Sequence, residues 1–178
     1  FQKQYWGRRS KYPLHEVVYE FIFVIQHNCI SPTEYVSLWR DKLLGGAAKQ
    51  LLDENPQIYD KNINDIIEYL RINYNETVDF SRVKNDIENI SNEFETYTEY
   101  IQHYRNLLNK YVFLRKYCNT YTRETDIIPL SPIPTIFGSF ISGIYNTEVT
   151  KIVMRTLNSV PAKDKYSFDI VARVLLNI

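Results

Sequence analysis

Residues 95–104 read Glu95-Thr96-Tyr97-Thr98-Glu99-Tyr100-Ile101-Gln102-His103-Tyr104, and the pattern they open runs on to about residue 119. Thr96 and Glu99 stand three apart, the spacing of a capping box, in which each side chain accepts from the other residue's backbone N–H. Behind them Tyr97, Ile101, Tyr104, Leu108 and Tyr111 alternate steps of four and three. That is heptad spacing, which keeps one apolar seam along a helix. Sustained over two heptads, it suits a packing seam inside a bundle, with a free coiled coil as the alternative. A long helix opened by its own cap decides the class. The chain is predicted to be all-α.

The segments on either side repeat the helical period. Leu14, Val17, Val18, Phe21, Val24 and Ile25 share one face after Pro13. Ser31-Pro32-Thr33-Glu34 is a second capping box, with proline at the first helical position, and its stripe runs Tyr35, Leu38, Trp39, Leu43, Ala47 and Leu51 until Asn55-Pro56. Gly45-Gly46 in its middle would cost about 1 kcal/mol per residue against alanine. Either the helix breaks there or another backbone packs closely. A helix over about 61–74 carries Ile63, Ile66, Ile67, Leu70 and Tyr74. Asp79 is placed to cap the next, with Phe80, Val83, Ile87, Ile90 and Phe94 on its stripe.

Beyond the long helix, Pro129, Pro132 and Pro134 forbid a helix interior, so 126–135 is predicted as an extended loop or a single turn. The period returns with Phe137, Phe140, Ile141 and Ile144. It continues with Val149, Ile152, Val153 and Leu157 behind a Thr147 cap, then Phe168, Val171, Leu175 and Ile178 behind Ser167. The polar run Asn75-Glu76-Thr77 separates three helices from five. Two small helical lobes follow, over 1–76 and 80–178.

Composition narrows the function. In 178 residues, 44% are hydrophobic and 24% charged, as in globular domains. Lys+Arg and Asp+Glu both count 21, so the chain lacks the basic surplus of a dedicated nucleic-acid binder. Five glycines leave no phosphate-cradling loop. Cys29 and Cys118 are far apart, which suits a reducing compartment without a disulfide framework. His15, His27 and His103 fall in separate helices or at their ends. His27-x-Cys29 supplies two zinc ligands where a structural site needs four. No nucleophile, paired-acid or metal motif occurs, and Glu93, Glu95 and Glu99 suit the positive end of a helix dipole. No catalytic residue, cofactor or metal is therefore expected, and the chain reads as a non-enzyme. Arg8-Arg9 and Lys11 form the one basic knot, open to two readings: nucleic-acid contact or a solvated terminus. Val17–Ile25, nearly apolar but interrupted by Glu20, is under half a bilayer span. The opening at Phe1 has no basic-then-apolar leader and reads as an excised segment rather than a signal peptide.

Four elements carry a resemblance. Leu43-Leu44-Gly45-Gly46-Ala47-Ala48-Lys49-Gln50-Leu51-Leu52 resembles the L-x-G-x-A-x-x-W element of retrotransposon Gag capsid domains. Glu95 to Tyr104 resembles the second half of the retroviral major homology region, E-x-F-x-x-Y-V-x-R-F. Phe140-Ile141-Ser142-Gly143-Ile144, followed by Glu148-Val149, is similar to the F-x-x-G-L…E-[IL] element of Gag C-terminal lobes. Ser167-Phe168-Asp169 matches the start of their final helix. These elements come in family order over about 40–178. The departures are specific: Leu51 or Leu52 replaces the tryptophan, Ser91-Asn92 stands where the region opens with Gln-Gly, His103 replaces its arginine, and 126–135 looks like an insertion. They point to a divergent long-terminal-repeat element or an Arc-like domesticated gene.

The resemblance implies a capsid protein in the cytoplasm that assembles with copies of itself into virus-like particles around element RNA. Its N-terminal lobe would form pentamer and hexamer rings, and its C-terminal lobe would dimerise to link them. RNA would be held through a flanking basic tail or zinc knuckle outside this chain, with no membrane partner. The family-motif positions are Gly46, Ala48, Leu51, Glu95, Tyr97, Tyr100, Tyr104, Phe140 and Gly143. Read physically, Gly46 and Ala48 let a neighbouring helix approach. Glu95 is expected to accept backbone N–H bonds at a helix start, and Tyr97, Tyr100 and Tyr104 bring hydroxyls that need partners. Two rivals remain: a domesticated module that co-assembles with and restricts Gag or docks peptides, and an unrelated helical adaptor.

Overall fold

The computed structural model describes residues 1–121 and 133–178. Nine α-helices and no β-strand occur among them. The chain is all-α. Its contacts divide it into two compact units, Phe1–Val78 together with the end of the long helix from Tyr117, and Asp79–Lys116 together with the helices from residue 133 onward. The division falls between Val78 and Asp79, past the Asn75-Glu76-Thr77 run, and the last turn of the long helix groups with the first unit.

In the first unit α1 (Leu14–His27) buries Leu14, Val17, Val18 and Phe21. The second predicted helix is interrupted. Pro32–Glu34 is a single 3-10 turn and α2 is only Tyr35–Leu38. A wide turn, Trp39–Leu43, follows, and α3 starts afresh at Gly46–Glu54. The restart shifts the helical phase by one residue, so Ala48 and Leu52 are buried where Ala47 and Leu51 were expected, and Leu51 is half-buried. The Ser31 capping box does not form. Ser31 Oγ meets Thr33 Oγ1 at 3.0 Å instead of a backbone N–H. A 3-10 turn, Pro56–Asp60, leads to α4 (Ile63–Asn73), which buries Ile66, Ile67 and Leu70 behind an Asn62 cap.

In the second unit Asp79 accepts the Arg82 N–H and opens α5 (Phe80–Glu88), with Phe80, Val83 and Ile87 inward. The expected stripe ends at Ile90; Phe94 is 91% exposed because α5 stops at Glu88. The Thr96–Glu99 box forms as read, with Thr96 N–H to Glu99 Oε2 at 3.0 Å and Glu99 N–H to Thr96 Oγ1 at 3.2 Å. It opens α6 (Tyr97–Tyr121). The seam of α6 is centred on Tyr100, Ile101, Tyr104, Tyr111 and Leu114, with Tyr97 only half-buried.

Of the proline-rich 126–135 segment, 126–132 lies outside the described residues. Ile133–Thr135 are already the first turn of α7 (Ile133–Ser142), not a loop. Pro134 is tolerated there because first-turn N–H groups have no intrahelical acceptor. Next comes α8 (Thr147–Ser159), capped by Asn146 rather than Thr147: Asn146 Oδ1 accepts the N–H groups of Glu148 and Val149. Ile152 lies outside its buried stripe. Ser167 caps α9 (Phe168–Leu176) as expected, accepting from Ile170, while Ile178 is exposed beyond the helix end. Within this unit α5 packs on α7, and α8 on α7 and α9.

Candidate functional site

The second unit brings four of the singled-out positions into one knot. Tyr100 and Tyr104, one turn apart on α6, stack their rings against Phe140 of α7 at centroid distances of 5.0 and 4.3 Å. Phe168, at the start of α9, closes the cluster at 5.2 Å from Phe140 and 5.5 Å from Tyr104. Both hydroxyls find partners, as a buried phenol requires. Tyr100 Oη–H donates to the Phe140 carbonyl at 2.6 Å, and Tyr104 Oη–H to the Ile136 carbonyl at 3.1 Å. Burial pushes the Tyr104 phenol up to about 12 and raises that of Tyr100 further.

Gly143 ends α7 at the point where nothing larger fits. A Cβ on it would run into the Ile90 carbonyl oxygen and the Tyr100 hydroxyl. The glycine therefore serves close approach, not an unusual backbone angle. Asn92, the one buried polar residue among those described, fastens this corner. Its N–H donates to the Gly143 carbonyl at 3.0 Å, its Oδ1 accepts the Tyr145 N–H at 2.6 Å, and its own carbonyl accepts the Glu95 N–H at 3.1 Å. One side chain thus ties the loop before α6 to the α7–α8 turn.

Glu95 does something other than expected. Its carboxylate sits 3.0 Å from His103 Nδ1 on the second turn of α6, and Thr96 is the helix cap. The pair is partly exposed.

In the first unit Gly46 and Ala48 meet the N-terminal segment, where a neighbouring helix was expected. Tyr5 N–H donates to the Leu43 carbonyl at 2.8 Å, Gly45 N–H to the Tyr5 carbonyl at 3.0 Å, and Ala48 N–H to the Trp6 carbonyl at 3.3 Å. The Trp6 indole lies on the glycine pair. A Cβ on Gly45 would stand 2.7 Å from Trp6 Nε1, and one on Gly46 2.6 Å from Trp6 Cε3. Gly46 also takes φ +49°, the left-handed region that favours glycine. Both alternatives left by the sequence hold together: the helix breaks, and another backbone packs closely against the break. Tyr5, fully buried, donates its hydroxyl to Glu76 at 2.7 Å, and burial raises its phenol well above the usual range.

Among the described residues no three His, Cys, Asp or Glu side chains gather as metal ligands, and no helix is long and apolar enough to cross a membrane. Cys29 is exposed and Cys118 buried. What is built here is packing geometry: in each unit, one corner closed by backbone hydrogen bonds and by a glycine with no room for a side chain. No family model, no curated protein and no solved structure matches the chain.

Three residues that organise these corners were not singled out as such by the sequence reading. Asn92 appeared only as a departure from a motif, and its burial depends on α7 arriving from 50 residues away. Asn146 lost to Thr147 because both are good caps at adjacent positions. Trp6 had one available signal, a Gly-Gly pair with no assigned neighbour.

Proposed function

We propose that the chain is a Gag-like capsid protein, a non-enzyme that self-assembles in the cytoplasm into shells enclosing element RNA. The observation that carries this reading is the meeting of Tyr100 with Phe140 and Gly143. The two segments that resemble separate family motifs lie 40 residues apart, yet they share one hydrogen bond and one steric constraint. Both segments fall in the same compact unit, as the resemblance implies for two motifs of one C-terminal lobe. The construction also suits the task. A shell subunit needs rigid packing that presents surfaces for many weak contacts, whose sum makes the particle stable. Exposed apolar side chains for such contacts include Ile152 and Met154 on α8 of the second unit. Zero net charge removes long-range repulsion between copies. The rival is a domesticated capsid-derived module that co-assembles with and restricts Gag or docks partner peptides.

Sedimentation velocity over a concentration series separates the two. The capsid reading expects a weak dimer that gives way to larger species, with little dependence on salt, because screening has little net repulsion to remove. A single monomer boundary at every concentration would favour the binding module.

A further inference from the structure

Net neutrality hides an uneven distribution of charge. The first twelve residues hold Lys3, Arg8, Arg9 and Lys11 and no carboxylate; the first acid is Glu16. Lys3 is engaged by Glu16 at 3.8 Å. Arg8, Arg9 and Lys11 are exposed, and among the described residues no carboxylate lies within ion-pair distance of them.

These cations sit on a fixed turn. Gly7, at φ +99°, reverses the chain, and Ser10 N–H donates to its carbonyl at 3.1 Å. Ser10 Oγ accepts the Trp6 N–H at 3.0 Å. The same segment is held to residues 43–48 by the backbone bonds of Tyr5 and Trp6 described above. Beside the turn lies an open cavity of about 470 Å³ lined by Phe1, Gln2, Trp6, Arg9, Lys11 and Tyr12. Trp6 rests on the glycine pair, is steadied by its Nε1–H donating to Gln4 Oε1 at 3.2 Å, and is still 52% exposed. Lys11 Nζ lies over the Tyr12 ring at 5.3 Å.

Exposed aromatic rings beside uncompensated cations are what a single strand of nucleic acid needs: bases stack on the rings and phosphates meet the cations. A duplex keeps its base faces inside its own stack, so the rings would gain nothing from it. An anionic membrane would also take up the cations and Trp6, but the rings here line a concave cavity rather than a protruding apolar face, which suits a single base better than a lipid surface. The geometry points to a single-stranded RNA contact on this N-terminal turn, with a base on Trp6 and the adjoining phosphates on Arg8, Arg9 and Lys11. The contact needs one molecule only, so it stands or falls apart from the capsid reading.

Tryptophan fluorescence of the intact chain tests it, at concentrations where sedimentation shows single molecules. Trp39 is fully buried and serves as a constant background, while Trp6 reports stacking. Titration with an RNA single strand of about ten nucleotides is expected to quench the Trp6 emission. Three phosphate contacts give a slope of log affinity against log salt near −2, at about −0.7 per contact for single strands. The triple variant R8Q/R9Q/K11Q, changed only at exposed side chains, should bind at least tenfold more weakly with a slope near zero, and its thermal melt should match the parent's. Trp6→Phe keeps a ring for stacking. It should abolish the quenching while anisotropy of labelled RNA shows binding retained within about threefold. Absence of quenching by the single strand at low salt would overturn the inference. So would equal affinity in the triple variant, or tighter binding of a blunt duplex or of phosphatidylserine vesicles than of the single strand.

Discussion

Asn92 and Gly143 are joined backbone to backbone, Asn92 N–H to Gly143 carbonyl at 3.0 Å, and the Asn92 side chain then takes the N–H of Tyr145 at 2.6 Å. The corner so formed holds the start of α6 against the end of α7. Asn92→Ala would leave the partly buried Tyr145 N–H without an acceptor. The expected loss is about 1–3 kcal/mol, the cost of an unpaired buried group, read from urea unfolding followed by circular dichroism. Ser91→Ala, at the exposed neighbour, should stay within about 0.5 kcal/mol.

Gly138, within α7, and Gly143, just past its end, should respond in opposite directions. Gly143→Ala drives a Cβ into the Ile90 carbonyl and the Tyr100 hydroxyl, so the backbone must move. A loss of about 1–3 kcal/mol is expected for such overpacking. Gly138 has nothing within 4 Å of the same position. Gly138→Ala should therefore raise stability by about 0.5–1 kcal/mol through helix propensity.

Alkali should weaken the second unit through its buried phenols. Burial holds the Tyr104 proton up to about 12, above its ordinary value of 10.0. A group whose folded value is raised gives its stability in full below the unfolded value and loses it as pH climbs toward the folded one. Stability should thus fall between pH 10 and about 12. In Tyr104→Phe the fall should be shallower, as measured by urea midpoints at each pH.

Helix α6 owes its start to Thr96, not to Glu95. Thr96→Ala removes the acceptor for the Glu99 N–H and should cost about 1 kcal/mol. Glu95→Ala breaks only a partly exposed contact with His103 and should cost no more than about 0.5 kcal/mol. A larger loss at Glu95 than at Thr96 would reverse the assignment.

The helices were legible because their signals are local. Apolar spacing such as Ile66, Ile67 and Leu70, and the caps Asp79, Thr96 and Ser167, act within a turn or two of chain. The knot was only half legible. That Tyr100 and Tyr104 need partners follows from their chemistry, but that the partners are the carbonyls of Phe140 and Ile136 follows from packing over 32 to 40 residues. The burial of Leu52 in place of Leu51 shows the same limit at shorter range. A break at Gly45 resets the helical phase, and periodicity alone could register the glycine pair without choosing which side of it the stripe resumes.

Negative-stain electron microscopy of the concentrated protein tests the central claim most directly. The capsid reading requires curved or closed assemblies built from repeated copies of the chain, which should be lost in Gly143→Ala or Asn92→Ala if the corner sets the geometry of the second unit. Fields of single, unassociated molecules at high concentration would contradict it.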